Sequence, residues 1–204
     1  MINISDDHRD ALLELFNVGI GHAAASLSTI VKEEISLSLL RMEFLKDNAH
    51  WKYSDFFENK RVCAIAQCFS GPFDADALLI FPEDKTMHIV QKMLGGTVAA
   101  KDIPDLEQDA LSEIGNIILN TCISAIGNTI RQKFRSTVPI YFAGYADDIF
   151  NPLTSGESMA IVLHIEFFMG KDEVHGYLVF LLNVHSFAKL LEVMDALLAR
   201  YSPK

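Results

Sequence analysis

A shift of 99 residues lays the second half of this chain over the first. Under it GPFDADALLIF at 71–81 falls on GKDEVHGYLVF at 170–180, Gly71 on Gly170 and Phe81 on Phe180. The trio Asp10, Glu14 and Asn17 falls on Asp109, Glu113 and Asn116. The halves run over about 5–95 and 104–204, and each opens with a long run of helical periodicity, at about 6–31 and 105–134. Three strand-like runs follow, at roughly 34–45, 60–69 and 74–81 and again at 137–145, 157–169 and 173–182. An amphipathic run closes each half, DKTMHIVQKML at 84–94 and NVHSFAKLLEVMDALL at 183–198. Short turns between successive strands favour antiparallel pairing. The expected fold is two-layer α+β: a mostly antiparallel sheet of about six strands covered by two long helices, built from two pseudo-symmetric halves. Neither half alone covers its sheet, so 1–204 is expected to be a single domain with one core.

Composition narrows the class. Half of the 204 residues are hydrophobic, enough to fill such a core. No uncharged apolar run reaches the ~18 to 20 residues of a membrane span. The amino terminus MINISDDHRD lacks the basic and apolar regions of a signal peptide, so a cytoplasmic protein without membrane insertion is expected. A formal charge of −10, from 17 basic and 27 acidic residues, opposes nucleic acid and anionic membrane as partners. Cys63, Cys68 and Cys122 have no metal-ligand spacing, and an odd count argues against a disulfide framework, which leaves buried thiols. The seven histidines, at 8, 22, 50, 88, 164, 175 and 185, show no metal spacing either, and His164 in AIVLHIEFF reads as a satisfied core or edge residue.

The helical faces carry the information. In the second long helix Leu111, Ile114, Ile118, Cys122, Ala125, Ile126 and Ile130 form a core stripe, while Asp109, Glu113, Asn116, Asn120, Ser124 and Arg131 run down another face. In the first, Leu12, Leu15, Ile20, Ala23, Leu27 and Ile30 supply the stripe. Helix geometry puts each Asp, Glu, Asn trio within roughly 40 degrees of one line, so all three side chains face one partner. Mid-helix Gly115, Gly19 and Gly21 each cost ~1 kcal/mol relative to alanine, which calls for close packing between helices or the approach of a partner. Gly19, Gly21 and Ala24 outline GxGxxA, but the amphipathic run DALLELF precedes them where a dinucleotide site needs a strand.

These residues resemble the CheC, CheX and FliY family of phosphatases, whose motif is Asp or Ser, three residues, Glu, two residues, Asn, 22 residues and Pro. The second half meets it in full with Asp109, Glu113, Asn116 and, after 117–138, Pro139. SEIGNIILN at 112–120 and FNVGIGHAAASLS at 16–28 are similar to the family's two motif helices, and the duplication marks the CheC type. The first half departs twice: Leu40 stands in the proline's place, and Phe16 where glycine commonly precedes the Asn, a ring positioned to obstruct docking.

The resemblance implies a protein aspartyl-phosphate phosphatase acting on a phosphorylated CheY-like receiver. Asn116, and at the weaker first site Asn17, would orient the attacking water; Glu113 and Glu14 would pair with a lysine of the receiver. Asp109, Asp10 and Pro139 would support them. The Mg²⁺ would be held by the receiver's own acidic residues, so no cofactor or metal is expected on this chain, and a CheD-like modulator is a further implied partner. This suits what the residues can do, because the chain has no Ser, His, Asp set, no GxSxG elbow, no HExxH and no Walker loop. A carboxamide can hold a water for in-line displacement, and an exposed glutamate is a docking anion. The alternative is a noncatalytic receiver-binding module or a scaffold like the middle domain of FliM. Two segments stay open: YADDIFNPLTSGES at 145–158 as a plain loop or a lip beside the second site, and HWKYSDFFENKR at 50–61, with Trp51, Tyr53, Phe56 and Phe57, as an aromatic patch or a partly buried loop.

Overall fold

The computed structural model of the chain describes residues 4–46, 60–94, 103–150, 158–169 and 172–201. Helix α1 (Asp6–Val31) starts at the cap Ser5, whose hydroxyl accepts the His8 N–H at 3.2 Å while His8 Nδ1 accepts the Ser5 N–H at 3.4 Å. With Nδ1 an acceptor, His8 Nε2 carries the proton and donates to Asp195 Oδ1 at 2.8 Å. Strands β1 (Ile35–Lys46), β2 (Arg61–Ser70) and β3 (Ala75–Pro82) and helix α2 (Glu83–Met93) complete the first half. The second has helix α3 (Ile103–Ile130), β4 (Arg135–Ser136), β5 (Ile140–Tyr145), the short helix α4 (Ala146–Phe150), β6 (Ser158–Met169), β7 (Asp172–Asn183) and helix α5 (Val184–Tyr201). His8 thus ties α1 to α5.

Helix α3 stops four residues before the periodicity suggests. Arg131 turns left-handed (φ 58°) and the Gln132 N–H donates to the Gly127 carbonyl at 2.9 Å, so the backbone closes the helix and Arg131 leaves the face it was expected to share with Glu113 and Asn116. Lys32 ends α1 in the same way, with φ 61°. The loop expected at 145–158 holds α4; its remainder 151–157, like 50–59 of the aromatic segment, lies outside the described residues.

The sheet runs β1-β6-β7-β3-β2, with β4 and β5 both paired to β2, and every pair is antiparallel. Successive pairing therefore holds for β2–β3 and β6–β7 and fails for β1–β2 and β5–β6. Instead β1 pairs with β6 of the other half and β5 with β2. Exchanging halves sends β1 to β5, β6 to β2 and β7 to β3, which maps the strand order onto itself. The seventh strand arises because a break at 137–139 separates β4 from β5.

One face of this sheet carries Ile65, Leu79, Ile165 and Leu178, and it shares a core with Leu12, Leu27, Ile114 and Ile118 of the two long helices. Two expectations fail at the margins. Ile30 is 54% exposed, because the α1 stripe steps from Leu27 to Val31 and leaves Ile30 about 100 degrees off it. Cys68 is exposed, since it lies on the other side of β2 from Cys63. His164, half-buried on the opposite face, has Nε2 3.0 Å from Glu43 Oε1. By length and mean hydropathy Leu106–Ile130 matches a membrane span, but Leu111, Ile114, Ile118 and Cys122 are fully buried in the core.

The glycines differ in what holds them. A Cβ on Gly19 would lie 2.6 Å from Cys122 Cα, so α1 and α3 meet backbone to backbone there. On Gly115 it would meet Ile65 Cγ2 at 2.5 Å, so that glycine answers to the sheet rather than to a helix or partner; on Gly21 it would meet nothing within 4 Å. Gly19→Ala is therefore expected to destabilise the fold by about 1 to 3 kcal/mol through overpacking. Gly21→Ala is expected to stabilise it by about 0.5 to 1 kcal/mol through helix propensity. Urea unfolding midpoints measure both, and a Gly19→Ala protein as stable as the parent would contradict the close approach.

Candidate functional site

The core stripes point α1 and α3 into the sheet and leave the motif faces outside. On α3, Asp109 and Glu113 are exposed and Asn116 is half-buried; on α1, Asp10, Glu14 and Asn17 are all exposed. The expected residues thus form two surface groups, one per helix, within reach of a second molecule. Leu119 and Ile123, neighbours of the stripe, are buried too, so the polar face is narrow.

Beneath Asn116 the sheet supplies a residue the sequence analysis missed. Gln67 of β2 is 2% exposed, and its Nε2 donates to the Thr137 carbonyl at 2.7 Å and to Asn116 Oδ1 at 3.2 Å. Asn120, one turn after Asn116, directs Nδ2 to Asn116 Oδ1 (2.8 Å), to the Asn116 carbonyl (2.7 Å) and to Gln67 Oε1 (3.2 Å), its two hydrogens shared among three acceptors. The available signal was one polar residue in the inward alternation Cys63, Ile65, Gln67, Phe69.

Pro139 makes room for this network. Phe69 pairs with Ser136 and Ala66 with Ile140, so three residues, 137–139, stand opposite two, Gln67 and Cys68. That is a bulge, at a proline that has no N–H for the ladder. Within it the Thr137 N–H donates to the Cys68 carbonyl (3.0 Å) and Thr137 Oγ1 accepts the Cys68 N–H (3.1 Å), which leaves the Thr137 carbonyl to Gln67. Leu40, the first half's counterpart of Pro139, is also the extra residue of a bulge, between the pairs Leu39–Ile165 and Arg41–His164. It is exposed.

The other departure does not act as expected. Phe16 is buried (1% exposed) and stacks on Phe180 of β7 with ring centroids 5.0 Å apart, so its ring lies in the core and obstructs nothing at the surface. The reason is geometric: one position before an outward Asn, a helical side chain turns about 100 degrees, toward the sheet.

Among the described residues, neither a ligand-sized hollow beside Asn120 nor a metal-ligating cluster accompanies the α3 motif. The hollow beside Asn120, bordered by Phe69, Ser124, Asn128 and Phe134, holds about 160 Å³, below the ~300 Å³ at which ligand pockets begin. Glu166, Glu173 and His175 bring ligand atoms within 4.8 Å of one another, but on the sheet face away from α1 and α3. What α3 offers is a hydrogen-bonded carboxamide beside an exposed carboxylate on a rigid rod, both within reach of a second molecule.

No protein-family model matches the chain. It is similar, at 24% identity over 207 aligned residues, to the CheY-P phosphatase CheC of Bacillus subtilis (strain 168), a match covering 95% of this chain and 96% of that one. Among solved structures the fold is similar to FliY of Thermotoga maritima, with a TM-score of 0.76 at 18% identity over 96% of this chain and 99% of that one. It is also similar to a chain of the FliM–SpeE complex from H. pylori, at 0.67 and 12% over 95% and 97%. A chain of the CheX–CheY complex with BeF3 and Mg²⁺ from Borrelia burgdorferi matches at 0.56 and 11% over 84% and 98%.

The thiols are poor nucleophiles. A hydrogen bond to the Asp76 carboxylate, with burial, pushes exposed Cys68 up to about 11; burial pushes Cys122 up to about 12 and also raises Cys63. Only a thiolate reacts, and a raised pKa withholds it until the pH approaches that value. Iodoacetamide at pH 7.5 is therefore expected to leave all three unmodified in the time a free cysteine reacts fully. The Cys68 rate should climb about tenfold per pH unit up to pH ~10, and mass spectrometry of the peptides reads both; fast Cys68 labelling at neutral pH would contradict the Asp76 contact.

Proposed function

Because the chain belongs to the CheC, CheX and FliY family, we propose that it removes the phosphoryl group from a phosphorylated CheY-like receiver, with α3 as the acting site. The observation that carries this reading is the outward presentation of Glu113 and Asn116 from a helix packed rigidly on the sheet, with no nucleophile, base or metal set beside them among the described residues.

The division of labour follows from what each group can do. Glu113 is the docking anion for a receiver lysine, and Asn116 holds a water in line with the aspartyl phosphate. The water oxygen bonds to phosphorus while the phosphorus–oxygen bond to the aspartyl group breaks, its electron pair leaving on the carboxylate. Both water protons depart with dihydrogen phosphate. Mg²⁺ belongs to the receiver's acidic residues, and this chain contributes none of its ligands. Asp109 supports the face, and Pro139 supports Asn116 through the bulge. Glu14 and Asn17 form the lesser site, with Asp10 beside them. The protein works in the cytoplasm, where receivers are, and a CheD-like modulator is a further partner to seek by co-purification.

The likeness to FliM keeps a noncatalytic scaffold or receiver-binding module as the second reading. Turnover at substoichiometric protein separates the two. Asn116→Ala is expected to lower phosphate release from a phosphorylated receiver about 100-fold with the fold intact. Glu113→Ala is expected to raise KM about tenfold with little change in kcat. Changes at Glu14 and Asn17 should cost less than about threefold in kcat/KM. If neither Asn116→Ala nor Glu113→Ala slows release, the reading fails.

A further inference from the structure

Three amides meet beneath the α3 motif, and their orientations follow from two groups that can only accept. The Thr137 carbonyl takes its hydrogen bond from Gln67 (2.7 Å) and the Asn116 carbonyl from Asn120 (2.7 Å). A carbonyl has no proton to give, so both side chains must turn their NH₂ ends toward these oxygens. Gln67 then offers Oε1 to Asn120, and its remaining N–H goes to Asn116 Oδ1 (3.2 Å), which Asn120 also reaches (2.8 Å). The Asn116 oxygen is thereby held inward by two donors, and its NH₂ faces out. Gln67 is sealed from water, so its amide depends on these bonds for its partners.

The first half lacks both supporting amides. Ala77 of β3 and Gly176 of β7 correspond under the 99-residue shift; the residue paired with Ala77 is Gln67, and the one paired with Gly176 is Ile165. Asn120 corresponds to Gly21. Asn17 has neither amide beside it and makes no side-chain hydrogen bond to the described residues.

We propose that Gln67 and Asn120 are positioning residues that lock the Asn116 carboxamide in one orientation, so that it meets the reacting centre as an N–H donor only. One N–H can then hold a lone pair of the water while the other lone pair points at phosphorus. The catalytic consequence rests on the phosphatase reading above; the lock itself is a property of this chain alone.

The test uses the full chain and a CheY-type receiver phosphorylated with acetyl phosphate in Mg²⁺, with phosphate release as readout. Gln67→Leu, similar in size but without donor or acceptor, and Asn120→Ala are each expected to lower kcat about 10- to 100-fold at unchanged KM. Neither should further slow Asn116→Ala, because a residue acting through Asn116 then has nothing to position. Wild-type kcat in both single variants, with Asn116→Ala inactive, overturns the lock and leaves the phosphatase reading standing. If the unmodified protein releases no phosphate, that reading falls, and the lock is decided by ¹⁵N NMR of the Asn116 side-chain amide, assigned by its loss in Asn116→Ala. The signal is expected to shift or broaden in Gln67→Leu and Asn120→Ala; an unchanged signal overturns the proposal. Should Gln67→Leu fail to fold, the half-buried Asn120→Ala carries both readouts.

Discussion

Each half of this protein pairs its first strand with a strand of the other half. β1 lies along β6 and β5 along β2, so the edges of the sheet are built across the repeat and neither half has a complete sheet without its partner. This interlock fixes the rest. It puts both long helices on one face, where Gly19 lets α1 reach the backbone of α3 at Cys122. The pair covers the inner face with a shared stripe of leucine and isoleucine, so the only directions left for Glu14, Asn17, Glu113 and Asn116 are outward.

On that symmetric frame the two faces have diverged in chemistry rather than in fold. Beneath α3, β2 places Gln67 at an inward position where the alternation calls for an apolar residue, and burying an amide there is tolerable only because each of its polar atoms has a partner. Beneath α1 the matching strand position is Ile165, which contributes to the core and nothing to the surface. One half thus spends inward space on holding a functional group still, and the other spends it on hydrophobic burial. A buried network of this kind is costly when partly satisfied and rigid when complete, which is the property a group needs if its work is to aim a water.

Much of this is legible in the sequence. Periods of 3.6 and 2 gave the long helices and the strands to within a few residues, and the 99-residue shift exposed the motif faces. The strand order was not legible, because short turns speak only to neighbours in sequence, whereas β1–β6 and β2–β5 are chosen by how the two halves close on one core. Ile30 and Arg131 were misplaced at helix ends, where a left-handed residue or one extra step rotates a side chain off its stripe. Phe16 reads as a surface change when the motif alone is followed, whereas its helix position turns it to the core side. Gln67 is marked only as one polar residue in an inward alternation, which says nothing of its partners Thr137, Asn116 and Asn120, 49 to 70 residues away in sequence.

Phe16 and Gly115, one position before the two asparagines, explain why the network could form on one helix only. A side chain on Gly115 would run into Ile65, which lies two residues before Gln67 on the same face of β2. The bare glycine therefore lets α3 settle against the strand at the point where Asn116 must reach Gln67. At the corresponding position of α1 a phenyl ring occupies the space between helix and sheet and is stabilised there by stacking on Phe180. Restoring the amides alone at Ile165 and Gly21 would not recreate the lock while that ring remains, because the distance between helix and strand is set by the residue beneath the asparagine. A glycine before Asn116 is thus a spacer in the literal sense: it brings a rigid rod close enough to the sheet for one buried amide to hold another.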